Sequence, residues 1–321
     1  MSESTRQVRD LSVLVVGYGS IGTRHVRILE ELGYSAAVVS RRNFECPRRY
    51  ATVLDALESE LPDYVVIANR TSEHYETVKT LALAGYTGRV LVEKPLFHHL
   101  RPVPEHRFAR SFVGYNLRFH PVIQRLRGLL EWETAISAQV YVGLYLPEWR
   151  PDRDYRNVYS ARKSEGGGAL RDLSHELDYV SWLFRGWIRL TALGGKLGDL
   201  EIDTDDVFAV LVETQGCPVV TVQMNYLDRV FRREILVNTV SHTFRANLIK
   251  GTVQIDGGPV EEYDMNRDTT YLAQHRAALR NSFEPLATLE DGVNVLRMIA
   301  AAEKAARDGG WVSFMEAMAA P

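Results

Sequence analysis

The chain has 321 residues, 45% of them hydrophobic, and a formal net charge of −3. That is enough apolar material for a large core and about two domains, and the charge balance offers no positive field to draw nucleic acid or an anionic membrane. The two cysteines, Cys46 and Cys217, stand far apart and outside any C-x-x-C or Cys/His array, so neither a disulfide framework nor a metal site is expected. The N-terminal MSESTRQVRD is polar, without the apolar core of a signal peptide, and no apolar run approaches the roughly 18 residues of a membrane span. A soluble, cytoplasmic protein is expected.

In chain order, the apolar, β-branched run at 11–16 reads as a strand and leads into Gly17-Tyr18-Gly19-Ser20-Ile21-Gly22 and a helix over 20–32. This G-x-G-x-x-G sits where its mechanism needs it. Its glycines allow a tight turn and close approach of a pyrophosphate, with Gly17, Gly19, Ser20, Ile21 and Gly22 as cofactor contacts and the helix N-terminus donating N–H groups. A strand at 35–40 ends in Ser40-Arg41-Arg42. Nicotinamide sites that prefer NAD carry a carboxylate here for the ribose 2′-OH, whereas arginines suit a 2′-phosphate. NADP(H) is therefore the preferred expectation, with NAD(H) the alternative, and Ser40, Arg41 and Arg42 are the discriminating residues.

A helix near 52–59, a strand at 63–68, a helix at 72–85 and a strand at 89–92 continue the alternation of a doubly wound parallel sheet. Two segments end at its carboxyl edge, where ligands of open α/β folds bind. In Ala68-Asn69-Arg70-Thr71-Ser72-Glu73-His74, the hydroxyls suit helix capping, and Asn69 and His74 suit cofactor contacts. In Glu93-Lys94-Pro95, Lys94 can donate to an oxygen made anionic by hydride transfer, with Glu93 on the cofactor side. The linker-like HHLRPVPEHR at 98–107 precedes the expected division between a dinucleotide domain, 1–118, and a substrate-binding and oligomerisation domain, 119–321.

The second half reads as strands at 134–146, 188–198, 205–214, 217–228, 231–240 and 243–256, a largely antiparallel sheet. Helices are expected at about 167–185, 268–282 and 289–307. The loop at 147–163 holds five cations and two tyrosines, Tyr155 and Tyr159. Arginine forks and phenols suit a carboxylate, a phosphate or a densely hydroxylated substrate.

GYGSIG, ANRTSEH and EKP, in that order and spacing, resemble the glucose-fructose oxidoreductase/inositol dehydrogenase (Gfo/Idh/MocA) family. Gly114-Tyr115-Asn116-Leu117-Arg118-Phe119-His120-Pro121 looks like the family's passage into its second domain and adds Tyr115 and Arg118 to the expected substrate contacts. The stretch from Gly166 to Asp178 resembles the glycine-rich turn and helix that carry the family's substrate-contacting Asp and His. Many members space that pair as D-x-x-x-H. Here Asp172 and His175 are three apart, which still places them on one face of a continuous helix. His175, with an ordinary pKa of about 6.5, suits proton transfer, Asp172 suits orienting it, and Glu176 is the next candidate to meet the reacting hydroxyl.

The resemblance implies a Rossmann domain followed by an α/β domain with an open, mostly antiparallel sheet. It also implies reversible oxidation of a sugar or cyclitol hydroxyl to a ketone, and a homodimer or homotetramer built on the second sheet. The wording YSARK, GGG, SHELDY looks like a branch found among enzymes of surface-sugar biosynthesis. Two alternatives share the fold: a redox-assisted glycoside hydrolase or lyase that keeps its nicotinamide, and a non-catalytic nucleotide-binding sensor.

Overall fold

The protein is seen in a computed structural model that describes residues 11–42, 44, 46–280 and 284–319. The first half forms strands β1 (Val13–Val16), β2 (Ala36–Val39), β3 (Arg49–Tyr50), β4 (Tyr64–Ile67), β5 (Arg89–Val92) and β6 (Arg110–Val113), with helices α1 (Ser20–Glu31), α2 (Val53–Glu60) and α3 (Thr71–Leu83). Every residue of β1, β2 and β4 is buried, as parallel strands covered on both faces require. The strands pair in parallel in the order β6-β5-β4-β1-β2-β3. The order reverses beside β1, and that switch point opens a crevice at the carboxyl ends of β1 and β4.

The chain continues through α4 (Pro121–Leu130), β7 (Ala135–Tyr145), α5 (Leu146–Trp149), α6 (Ala169–Asp172), α7 (His175–Leu183), β8 (Trp187–Gly195), β9 (Val207–Thr214), β10 (Val219–Asn225), β11 (Leu227–Thr239), β12 (Thr243–Asn247), β13 (Thr252–Ile255) and β14 (Val260–Glu262). It closes with α8 (Thr269–Arg280), β15 (Ala287–Thr288), α9 (Leu289–Asp308), β16 (Val312–Ser313) and α10 (Phe314–Ala319). The nine-stranded second sheet runs β14-β13-β12-β11-β7-β10-β9-β8-β16. Its pairings are antiparallel except that of β7 with β10. One face is packed: Phe208, Val210, Val212, Val220, Val222 and Met224 point to the core, where α6 packs on β9 and β10, α7 on β7 and α9 on β8.

Three features depart from the sequence reading. The strand expected over 243–256 is two strands, because Asn247 Oδ1 accepts the N–H groups of Ile249 and Lys250 and Gly251 takes a positive φ of 68°, making a turn. The helix expected over 167–185 is broken between α6 and α7. In a continuous helix the Asp172 carbonyl would accept the Glu176 N–H; instead Lys94 Nζ donates to it, 2.5 Å away, and the Glu176 N–H goes to Leu173 O. Finally, β15 pairs antiparallel with β6 and α8 packs on α1, so a late segment of the chain finishes the first sheet.

Candidate active site

A cleft of about 1640 Å³ runs from the glycine turn after β1, past the ends of β4 and β5, to the loop at 150–159. It exceeds the roughly 300–1,000 Å³ of an ordinary small-ligand pocket, and its volume suits a dinucleotide with a second molecule beside it. Gly17 has φ 104°, and a Cβ there would lie 2.6 Å from the backbone of Ala68 and Asn69, so only glycine lets the turn press against the end of β4. A Cβ on Gly22 would collide with the Gly17 carbonyl, whereas one on Gly19 would meet nothing. The open space thus lies over Gly19, where α1 begins. Its first-turn N–H groups, at Ser20, Ile21 and Gly22, have no acceptor inside the helix. A pyrophosphate fits this cradle.

At the far side of the turn, Ser40 is buried at the end of β2 and its hydroxyl accepts the Arg42 N–H at 3.1 Å. Arg41 is exposed and pairs with Glu73 at 2.7 Å, and Arg42 reaches the Tyr18 carbonyl at 3.4 Å. Both guanidiniums line the cleft. Asn69 donates to Thr77 at 2.9 Å, leaving its buried Oδ1 without a partner beside the glycine turn. His74 is buried, and its Nδ1 meets the carbonyls of Pro95 and Leu96 at 3.1 and 3.2 Å. Burial lowers its pKa, so the neutral ring holds down the segment that follows Lys94.

The centre of the cleft gathers Glu93, Lys94, Asp172 and His175. Glu93 Oε1 lies 3.0 Å from His25 Nε2, His25 Nδ1 lies 2.8 Å from His275 Nε2, and His275 Nδ1 lies 3.1 Å from the Tyr64 hydroxyl. With Glu93 ionised and both rings neutral, one direction of donation satisfies the whole buried chain, from Tyr64 to the carboxylate. Glu93 Oε2 also accepts the Lys94 N–H at 3.2 Å. Burial lowers the Lys94 pKa against the opposing pull of Asp172 and Glu93. His175 is pushed well below its usual value by burial, then by the charges of Lys94 and Arg233. Its ring stands edge-on to Tyr115, and its buried Nδ1 has no partner.

Asp172 and His175 therefore share the cleft but not a helical face. The Asp172 carboxylate accepts from the Tyr226 hydroxyl at 2.6 Å rather than orienting His175. Tyr159 lines the cleft, its phenol pKa raised by burial and then by the Asp172 charge. Three expected substrate contacts lie outside the cleft wall. Arg118 is buried and clamps Asp178 through Nε and Nη2, at 2.7–3.2 Å. Tyr115 is buried behind His175, and the Tyr155 hydroxyl accepts the Glu201 N–H at 3.2 Å.

Two residues of the site came from nowhere in the sequence reading: Tyr226, and Arg233, which lines the cleft with its Nε on buried Glu176 at 2.8 Å. Glu176 is consumed by that pair and by the Tyr179 hydroxyl. The one signal for Arg233 was the alternation of β11, which sends Arg232 outward to Asp228 and its neighbour inward.

Both halves of the chain are similar to known proteins. Residues 11–106 match the oxidoreductase family with an NAD-binding Rossmann fold, and residues 132–244 match the GFO/IDH/MocA C-terminal domain. The chain is 31% identical over 188 residues to the rhizopine catabolism protein MocA of Rhizobium meliloti, covering 53% of this chain and 56% of that one. It is 28% identical over 199 residues to an uncharacterized oxidoreductase of Synechocystis sp., covering 54% and 52%. The chain thus spans about half the length of the curated relatives it matches.

Solved structures share the fold over nearly the whole chain. GenD2 from gentamicin A biosynthesis, in complex with NAD, has a TM-score of 0.80 at 22% identity, covering 98% of this chain and 99% of that one. Levoglucosan dehydrogenase with NADH and L-sorbose has 0.82 at 14%, covering 96% and 100%. The WlbA dehydrogenase of Bordetella pertussis, with NADH and UDP-GlcNAcA, has 0.76 at 19%, covering 95% and 99%. With both of its domain types matched in order over more than half of its length, the chain belongs to the Gfo/Idh/MocA oxidoreductase family.

Proposed function

We propose that the protein is a nicotinamide-dependent oxidoreductase that interconverts a hydroxyl and a ketone on a sugar or sugar-like small molecule. The observation that carries this reading is Lys94, whose ammonium faces the cleft from the carboxyl end of β5, beside a neutral His175 and in one cavity with the glycine turn. The nicotinamide, when bound, supplies or takes up the hydride at the carbinol carbon. Lys94, fixed by the Asp172 carbonyl, donates to the substrate oxygen and stabilises the charge that gathers there. His175 exchanges the hydroxyl proton, since a neutral imidazole can accept it. Support also comes from proteins of the same fold, whose structures hold NAD alone, NADH with L-sorbose, or NADH with UDP-GlcNAcA.

The cofactor is NADP(H) in preference to NAD(H), because Ser40-Arg41-Arg42, directly after β2, holds no carboxylate and Arg41 and Arg42 can face a 2′-phosphate. Residues 1–118 form the nucleotide-binding part and 119–321 the substrate and assembly part, with β15 lent back to the first sheet. Among the described residues no helix is long and apolar enough to cross a membrane, and Cys46 and Cys217 are both free, which suits a reducing cytoplasm.

Turnover is assayed by nicotinamide absorbance against a panel of sugars, sugar acids and cyclitols. Lys94→Met is expected to lower it about 100-fold or more, with nucleotide affinity roughly kept. Lost nucleotide binding with unchanged turnover at saturation would make Lys94 a cofactor anchor instead. Fluorescence titration should show NADPH binding more tightly than NADH and Arg41→Ala erasing the difference; equal affinities for the native protein overturn the NADP(H) preference.

A further inference from the structure

Although the chain as a whole is acidic, the part of the cleft wall supplied by the second half of the chain carries cations that no carboxylate neutralises. Of the loop cations, Arg156 is committed to Asp154 and Glu201, and Arg162 to Glu165; neither lines the cleft. Arg150 and Arg153 do line it, and among the described residues neither makes an ion pair. Arg233, the remaining guanidinium on this wall near His175, is already neutralised by Glu176.

Arg150 is half-buried, its guanidinium carbon 5.5 Å from the ring centroid of Trp149 and 5.6 Å from that of Tyr159. Stacking of this kind holds the plane of the fork and leaves its in-plane N–H donors free for a planar or tetrahedral anion. Tyr159 in turn neighbours Asp172, whose carbonyl holds Lys94 Nζ. Contacts thus lead step by step from Arg150 to the lysine at the reacting end. Partial burial of an unpaired guanidinium is unfavourable until an anion meets it.

We propose that Arg150, with Arg153 beside it, forms a subsite for an anionic group of the substrate, a carboxylate or a phosphate, so that the molecule oxidised or reduced at Lys94 is an acidic sugar. This rests on the oxidoreductase reading and narrows its substrate class.

The test measures binding to the cofactor-saturated protein by ligand-observed NMR, with D-glucuronate, D-glucose 6-phosphate, D-glucose and the methyl ester of glucuronate as probes. At least one anionic probe is expected to bind about tenfold more tightly than both neutral ones, the gain of a charge-assisted hydrogen bond. Which anion shows it tells carboxylate from phosphate. Arg150→Met should abolish that preference, and Arg156→Met, a cation of the same loop turned away from the cleft, should keep it. The proposal is overturned if neither anion outbinds glucose, if the preference survives Arg150→Met, or if Arg156→Met removes it equally. Arg150-dependent anion binding without hydride transfer to any sugar would sink the oxidoreductase reading alone. Turnover of neutral sugars with equal affinity for charged ones would sink this subsite alone.

Discussion

At the scale of single residues, burial decides protonation in this protein, and His120 shows it most clearly. Its Nδ1 accepts the Val122 N–H at 3.2 Å, capping α4, and its Nε2–H donates to the Leu248 carbonyl at 3.1 Å. The neutral ring is satisfied on both sides, and burial pulls its pKa from 6.5 to about 4. Between those values the unfolded chain takes up a proton that the folded chain refuses. The stability due to neutral His120 is therefore complete above pH 6.5 and is lost as the pH falls towards 4, by up to about 3 kcal/mol. Asp178 and Asp205, both raised to about 6 by burial, act in the opposite sense over part of the same range. His120→Asn isolates the histidine, since Asn keeps a capping oxygen but does not titrate. In urea titrations the native protein's advantage over this variant should shrink by about 3 kcal/mol from pH 7 to pH 4; a gap independent of pH would contradict a buried neutral ring.

At the scale of elements, the site depends on a short helix held at both ends. Asp205 caps α6: its carboxylate accepts the Leu170 N–H at 2.8 Å and its carbonyl the Ala169 N–H at 3.0 Å. Lys94 takes the carbonyl of Asp172 at the other end. Gly168 permits the first contact, with φ 116° and a Cβ position already filled by the Asp205 carboxylate. Gly168→Ala should combine backbone strain with a clash and cost about 1–3 kcal/mol or more. Turnover should fall beyond the loss of folded protein, because Lys94 and Asp172 shift with α6. Unfolding and single-turnover rates on the same preparation check this; full activity in a destabilised variant would mean that α6 does not position Lys94.

At the scale of the whole molecule, the second sheet keeps one face uncovered. Gln139, Thr221 and Gln223 are exposed and Leu211 and Leu236 half-exposed, while the residues between them are buried. No helix packs on that face among the described residues. A nine-stranded sheet face with apolar residues among polar ones suits a self-complementary contact with a second copy. A homodimer or homotetramer built there should fall apart in Leu211→Glu/Leu236→Glu, read by light scattering after size exclusion. A native protein that runs as a monomer at micromolar concentration would refute the assembly.

Parts of the molecule whose physics is local were legible in the order of the residues. Continuous β-branched runs, the GYGSIG turn and the polar-to-apolar alternation of the second half each depend on a few neighbouring residues, and they were enough to define two sheets and the strand-turn-helix that opens the first. The partners of the polar groups emerged with the folded chain alone. The carbonyl of Asp172 went to a lysine 78 residues away and broke the expected helix, and its carboxylate went to Tyr226, 54 residues on. Arg118 was spent on Asp178, and Arg233 entered the cleft because β11 happens to pair beside β7. The physical reason is that a buried polar group must find a partner wherever the fold brings one, and no local pattern records which distant segment that will be.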